Sequence, residues 1–194
     1  RNDVRAVDGH RRMLNRDTYM TGGSMVNLGA VIEMALNDGR LRLSADERFG
    51  AQTGDPRGFA SFEDVMAAFK RQVENLMRHV FIQNRLADTI RPTLLAAPIE
   101  SCLHDLCMDN GLDIYQGKIE GGIVLGSWDL IGFGTAVDSL AAIRKFVFDD
   151  KKVTMRELAD ALAKDFEGCE VLRQMCLNAP KYGNNDPYAD DIAV

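Results

Sequence analysis

Residues 123–148 read IVLGSWDLIGFGTAVDSLAAIRKFVF, and a change of hydrophobic period inside this stretch sets the fold class. The apolar pieces 123–125 and 130–133 are short, separated by a glycine-containing segment, and rich in β-branched or aromatic residues, which predicts short strands. From 135 to 148 the period becomes helical, with Ala136, Leu140, Ile143 and Val147 at steps of four, three and four. Strand therefore feeds straight into helix across Gly132-Phe133-Gly134, and the six glycines between 114 and 134 predict tight loops around the strands.

Working outward, Thr154-Met155-Arg156-Glu157 is a capping box, flanked by Val153 and Leu158 at the spacing of a hydrophobic staple, so a helix starts there. Gly168 ends it, a short helix follows to about 177, and Pro180 opens a polar loop. Upstream, Leu28, Val31, Ile32 and Ala35 predict a helix over 25–38, capped by Ser24 and closed by Gly39. Residues 40–60, with Gly50, Gly54, Gly58 and Pro56, read as a long loop. A second helix starts at Ser61 and carries the stripe Val65, Phe69, Val73, Leu76, Val80. After Pro92 the apolar run 93–97 predicts a short buried strand, and Pro98 then opens a helix marked by Ile99, Cys102, Leu103 and Leu106 and closed by Gly111.

The expected organisation is one domain: a loop over 1–23, mainly helix over 24–111, short strands and Gly-rich loops over 112–134, helix over 135–178 and loop over 179–194. Elements follow one another as in an α/β chain, with no repeat and no low-complexity tract. An Arg at position 1 where Met would begin a full protein, and a stop at Val194 after an acidic stretch, fit an internal piece.

Composition excludes several function classes. The chain has 194 residues, 46% hydrophobic and 27% charged, with net charge −6 and pI near 5.1, so a nucleic-acid partner is not expected. Arg1, Arg5, Arg11, Arg12 and Arg16 form the one basic cluster and read as solvated surface. No run approaches a membrane span, and the N-terminus has no signal-peptide core, which predicts a cytoplasmic protein without a membrane partner. Cys102, Cys107, Cys169 and Cys176 read as free thiols in a reducing compartment.

The densest reactive cluster is Cys102, His104, Asp105 and Cys107. Two Cys five apart on a helix point in different directions, so no zinc site and no bound metal are expected, and His10 and His79 stand alone. A Cys–His nucleophile is a weaker reading still, because the ionisable neighbours Glu100, Asp105 and Asp109 are acidic and would raise the thiol pKa. The Gly-rich stretch lacks both phosphate-binding fingerprints, although Gly132-Phe133-Gly134 before a helix can turn backbone N–H groups toward an anion. Glu120, between glycines near strand ends, is the candidate substrate-binding residue, with an ordinary exposed loop acid as the alternative.

Several segments resemble the C-terminal half of glycyl radical enzymes of the pyruvate formate-lyase type. They are Val137-Asp138-Ser139-Leu140-Ala141-Ala142-Ile143-Arg144-Lys145 together with Ala179-Pro180-Lys181-Tyr182-Gly183-Asn184-Asn185-Asp186, supported by Asn27-Leu28, residues 33–39 and residues 98–113. The resemblance covers nearly the whole chain. It implies a helix-rich fragment of a ten-stranded α/β barrel whose glycyl radical domain is absent from these residues. It also implies a mechanism in which a backbone glycyl radical, installed by a separate radical SAM activating enzyme, oxidises a loop Cys to a thiyl that takes hydrogen from a small-molecule substrate. Both the radical Gly and the thiyl Cys are expected outside this chain, because none of its four Cys matches the thiyl position; no catalytic residue is assigned, and no cofactor is expected on the fragment.

The parent protein is accordingly expected to be a lyase and a homodimer, with the fragment alone inactive. Radical cleavage or elimination, dehydratase- or decarboxylase-like, is the leading expectation, with Glu120 holding or deprotonating substrate. Residues 117–122 depart from the segment common in dehydratases, which leaves the substrate class open. The first alternative is arylsuccinate- or alkylsuccinate-forming fumarate addition, which needs a dicarboxylate clamp for which Arg16 is the only nearby candidate. The second is a non-catalytic helical binding module.

Overall fold

The computed structural model describes residues 4–8, 11–14, 18–44, 47–116 and 123–194. In chain order the elements are β1 (Val4–Asp8), β2 (Arg11–Leu14), β3 (Thr18–Asn27), α1 (Leu28–Ala35), α2 (Phe62–Leu94), α3 (Pro98–Cys102), α4 (Asp105–Asn110), β4 (Ile123–Ile131), α5 (Phe133–Ile143), α6 (Met155–Ala163), α7 (Glu170–Leu177) and α8 (Pro187–Asp190). The fold is helix-rich α/β. Two compact units emerge, one from residues 1–25 and 79–129 and the other from 26–78 and 130–194.

β1 and β2 pair antiparallel, Val4 opposite Leu14, with an irregularity between Ala6 and Asp8. β3 and β4 are hydrogen-bonded neighbours. The loop expected over 1–23 is thus corrected to three strands. β3 pairs with a segment far later in the chain, and nothing in the local period announces that partner. The same strand runs on past Ser24, so Ser24 does not cap α1; its Oγ donates instead to Asn84 Oδ1 at 2.7 Å. The cap is Asn27, whose Oδ1 accepts from Gly29 N at 3.0 Å and Ala30 N at 3.3 Å. The pieces expected as two strands over 123–125 and 130–133 are one continuous strand, β4, so the glycine between them does not break it.

In the unit formed by 26–78 and 130–194, α1 packs on α5, and both bury broad faces. Leu28, Val31, Ile32 and Ala35 are buried as their spacing predicts, and Met34 joins them. On α5 the expected stripe of Ala136, Leu140, Ile143 and Val147 is buried, but so are Val137, Ala141, Ala142 and Phe146. A helix buried around most of its girth is central. It starts at Phe133, two residues before the expected 135, because Gly132 takes the left-handed cap conformation; it continues into a π-helical turn, Arg144–Asp149. The Arg144 guanidinium lies over the rings of Phe62 (5.7 Å) and Tyr188 (5.1 Å). Tyr188 donates its hydroxyl to Asp149 Oδ2 at 2.7 Å; burial first, and then this bond, push the phenol pKa above its ordinary range.

The capping box of α6 forms in full: Glu157 N donates to Thr154 Oγ1 (3.2 Å) and Thr154 N donates to Glu157 Oε2 (2.7 Å). That backbone bond, with one from the Thr154 hydroxyl, holds the Glu157 carboxyl below its usual range. Ser61 Oγ accepts from Asp64 N at 3.2 Å at the start of α2, as expected. The buried face of α2 differs from the expected one: Val65, Ala68, Gln72 and Val80 are buried, whereas Phe69, Val73 and Leu76 are only partly so. Gln72 is fully buried at 0% exposure. It pins the loop that follows α1, accepting from Ala51 N (2.8 Å) and donating to Ala51 O (2.7 Å) and Thr53 Oγ1 (3.3 Å). A Cβ on Gly50 would come within 2.3 Å of Gln72 Oε1, so only glycine fits beside this amide.

In the unit formed by 1–25 and 79–129, a small core gathers Cys107 and Ile114, with Ala97, Leu106 and Tyr115 against it. The strand expected over 93–97 is absent: α2 runs through Pro92 to Leu94, where Pro92, having no N–H, leaves one i→i−4 bond unmade just before the helix ends. The single helix expected after Pro98 is two, α3 and α4, with Pro98 in the first turn and Gly111 as a left-handed C-cap. Ile99, Cys102 and Leu103 do not face a core; Ile99 and Leu103 are 81% and 78% exposed. Ile82, Leu86, Ile90 and Leu94, four apart on α2, are exposed as well. Among the described residues no helix is long and apolar enough to cross a membrane.

The final stretch, 179–194, is mostly loop but holds α8, started by Asp186, whose Oδ1 accepts from Tyr188 N at 3.0 Å.

Candidate functional site

In α/β proteins ligands gather where strands end and helices begin, because side chains and free helix N–H groups converge there. Two such junctions meet in the unit formed by 26–78 and 130–194. β3 ends at Asn27 and passes at once into α1; β4 ends at Ile131 and passes through Gly132 into α5. Gly132 has φ 74°, and a Cβ there would lie 3.3 Å from both Asn27 Oδ1 and Gly29 N. Backbone conformation and close approach both require glycine. A Cβ on Gly29 would in turn lie 3.1 Å from Asn27 Oδ1 and 3.9 Å from Thr135 Cγ2, so the junctions abut.

Their chemistry is modest and specific. Asn27 is occupied in capping α1, whereas α5 receives no cap from a side chain, because its cap residue is glycine. The first turn of α5 therefore offers backbone donors beside the strand ends, suited to holding a polar or anionic group. Residues 26–29 and 131–135 contain no carboxylate, imidazole or thiol, so this junction positions and does not itself transfer protons. Gly132 forms the tight strand-to-helix turn read from the sequence, whereas Phe133 and Gly134 already belong to α5, whose start has no side-chain cap.

The motif 179–186 folds onto the same place. Tyr182 N donates to Asp138 Oδ1 at 2.8 Å, and the Tyr182 ring meets Phe133 edge-on with centroids 5.3 Å apart. The two sequence motifs, Val137 to Lys145 and Ala179 to Asp186, are thus in direct contact. Asn27 as the cap at this junction was missed from sequence; the signal was its place one residue before the apolar period of α1 begins.

Glu120 lies in 117–122, outside the described residues, as do Arg1, His10 and Arg16. The segment leading to it is braced by Asp113, which accepts from Ala97 N (2.7 Å), Ser101 Oγ (3.0 Å) and Tyr115 N (2.9 Å). Desolvation would raise the Asp113 pKa, but these bonds outweigh it and hold the carboxyl below its ordinary range.

The thiols do not form a site. Cys102 is exposed and Cys107 buried on successive helices, and burial, then Asp113 and Glu100, push the Cys107 thiol up. Burial raises the Cys176 thiol too, partly offset by Lys181. Among the described residues no three His, Cys, Asp or Glu side chains are grouped to hold a metal.

A groove of about 830 Å³ runs along α1, α5, α6 and α7, and Gly29, Thr135 and Asp138 of the junction are among its lining residues. Its cations are already engaged: Arg57 with Asp160 (2.6 Å), Arg42 with Leu162 O (2.8 Å) and Lys181 with Cys176 O (3.2 Å).

The chain is similar to known proteins. Isethionate sulfite-lyase of Oleidesulfovibrio alaskensis is 48% identical over 190 residues, 97% of this chain and 23% of that protein. Trans-4-hydroxy-L-proline dehydratase of Clostridioides difficile is 36% identical over 180 residues, 91% of this chain and 22% of that protein. The crystal structure of hydroxyproline dehydratase from Clostridioides difficile, with trans-4-hydroxy-L-proline bound, superposes with a TM-score of 0.81 at 34% identity, covering 94% of this chain and 23% of that one. The chain thus spans a little under a quarter of the length of these relatives. The pyruvate formate lyase-like family model matches residues 11–194, nearly the whole sequence, and this chain belongs to that family.

Proposed function

We propose that this chain is part of a glycyl radical lyase that eliminates a leaving group from a small hydroxylated organic substrate, with release of sulfite from a hydroxyalkyl sulfonate as its reaction. The observation carrying the reading is the identity of 48% to isethionate sulfite-lyase, against 36% to the hydroxyproline dehydratase. In the full enzyme residues 1–194 are one section of the wall of a ten-stranded α/β barrel, and both units belong to that single domain. The glycyl radical domain lies elsewhere in the polypeptide.

The radical chemistry itself has no seat among the residues present. None of the four Cys matches the thiyl position that the family resemblance implies, and residues 26–29 and 131–135 at the strand-to-helix junctions hold no Cys, so no step is routed through this chain's thiols. Its own contribution is placement. The abutting turns at Asn27 and Gly132 fix the strand ends, and the uncapped start of α5 supplies backbone donors suited to an anionic group. Independently of that junction, Glu120 is the residue of this chain proposed to accept or donate a proton at a substrate hydroxyl. The full enzyme works in the cytoplasm as a homodimer and depends on a radical SAM activating enzyme; the 194-residue piece alone is inactive.

For isethionate the elimination balances as 2-hydroxyethanesulfonate going to acetaldehyde and hydrogen sulfite, with no net redox change. Anaerobically activated full-length enzyme should release sulfite and acetaldehyde in equal amounts from isethionate and leave trans-4-hydroxy-L-proline untouched. Water loss from hydroxyproline with no sulfite from isethionate would replace this reading by a dehydratase; no turnover of either by radical-bearing enzyme would refute both.

A further inference from the structure

The loop after α7 is tied to α5 and its π-helical extension at two points. Near its start, Tyr182 N donates to Asp138 Oδ1 (2.8 Å), and the Tyr182 ring meets Phe133 edge-on at 5.3 Å. A Cβ on Gly134 would sit 3.9 Å from Tyr182 Cδ1, an ordinary van der Waals distance, so the ring lies beside the first turn. Farther along, Tyr188 donates to Asp149 Oδ2 (2.7 Å) and sits under the Arg144 guanidinium. The loop between is stiff: Gly183 N donates to Asp190 Oδ1 (3.0 Å), and Asp186 caps α8. Asp138 is thus the acceptor through which a braced loop grips the turn that begins at Gly132, and Gly132 is in turn packed against Asn27.

We propose that Asp138 is a positioning residue for the enzyme's reaction: by holding Tyr182 it fixes the first turn of α5, and with it the paired strand ends that face substrate. This rests on the proposed function, but the latch has a readout of its own. The latch requires an oxygen acceptor at this point; the carboxylate's charge strengthens the bond, but an amide oxygen can still accept from the Tyr182 N–H. Tyr182 contributes its ring and backbone, not its hydroxyl.

The test uses the full-length enzyme. Asp138→Ala should speed deuterium exchange in peptides covering 132–137 and 181–184 by roughly tenfold, the scale of one lost hydrogen bond, with peptides from α6 unchanged. After activation, with glycyl radical content per protein equal to wild type by EPR, it should lower kcat/KM by about tenfold, as expected when positioning is loosened. Asp138→Asn keeps Oδ1 as acceptor and should stay within about twofold of wild type in both readouts, as should Tyr182→Phe. Tyr182→Ala should follow Asp138→Ala. Unchanged exchange in Asp138→Ala overturns the latch. Faster exchange with unchanged kcat/KM overturns the positioning role, leaving only a structural brace, and Asp138→Asn as impaired as Asp138→Ala shows that charge acts instead. If wild-type enzyme carries the radical yet turns over neither substrate, the functional reading fails, and the exchange arm still decides the latch.

Discussion

Replacing Gln72 with Leu should destabilise the 26–78 and 130–194 unit by about 3 kcal/mol, although the two side chains are similar in size and the site is a helix interior. The cause is the other side of the contact. Gln72 Oε1 and Nε2 satisfy both the N–H and the C=O of Ala51, and Nε2 also reaches Thr53 Oγ1. Leu leaves two backbone groups without partners in a partly buried loop, and losing each costs on the order of 1–3 kcal/mol. Greater apolar burial offsets part of that. Gly50→Ala should fail for the same reason, since its Cβ would lie 2.3 Å from Gln72 Oε1 and force the amide aside. Substitution of the exposed neighbour Arg71 with Leu should change stability by less than about 0.5 kcal/mol. Urea unfolding of the chain measures the difference, and faster exchange at the Ala51 and Thr53 amides in the full-length protein reads it locally. Equal midpoints and equal exchange for Gln72→Leu and wild type would show that the loop does not depend on this side chain.

The largest catalytic effect is expected at Glu120. Gly121 and Gly122 bring no side chains to pack against a neighbouring carboxylate, so removing Glu120 is expected to spare folding. If it holds or moves the proton of the substrate hydroxyl, its loss removes a positioned acid or base, typically worth about 10²- to 10⁴-fold in rate. Glu120→Gln in activated full-length enzyme should therefore lower kcat by that order while the melting temperature stays unchanged. Wild-type kinetics with an unchanged melting temperature would make Glu120 an ordinary loop acid.

How much was legible in sequence depended on how local the cause was. The capping box at Thr154 and Glu157, the Ser61 start of α2, the Gly111 C-cap and the stripes of α1 and α5 are set by residues within a turn or two, and they form as their spacing predicts. What depended on distant partners was misread. β3 owes its length to pairing with β4, which hid the strand and misplaced the cap at Ser24 in place of Asn27. Gln72 lies seven residues after Val65 on the buried face, yet a polar side chain was not counted in an apolar stripe, and its partners sit in a loop with no period of its own. The exposed Ile99 and Leu103 failed for the opposite reason, since apolar type alone does not assign a side chain to a core. For the candidate site, the motif pair was legible as a resemblance, and the contact between Asp138 and Tyr182 gives it a physical basis. The abutment of Gly132 and Asn27 was not legible, because it joins two turns far apart in the chain.

The proposed place of this chain in a glycyl radical lyase is tested most directly by EPR on the full-length protein. After anaerobic incubation with its radical SAM activating enzyme and S-adenosylmethionine, the protein should show a glycyl-type doublet that oxygen destroys with cleavage of the backbone near the C-terminus. Absence of that signal, under conditions where the same activating enzyme loads a radical onto a relative, would contradict the account.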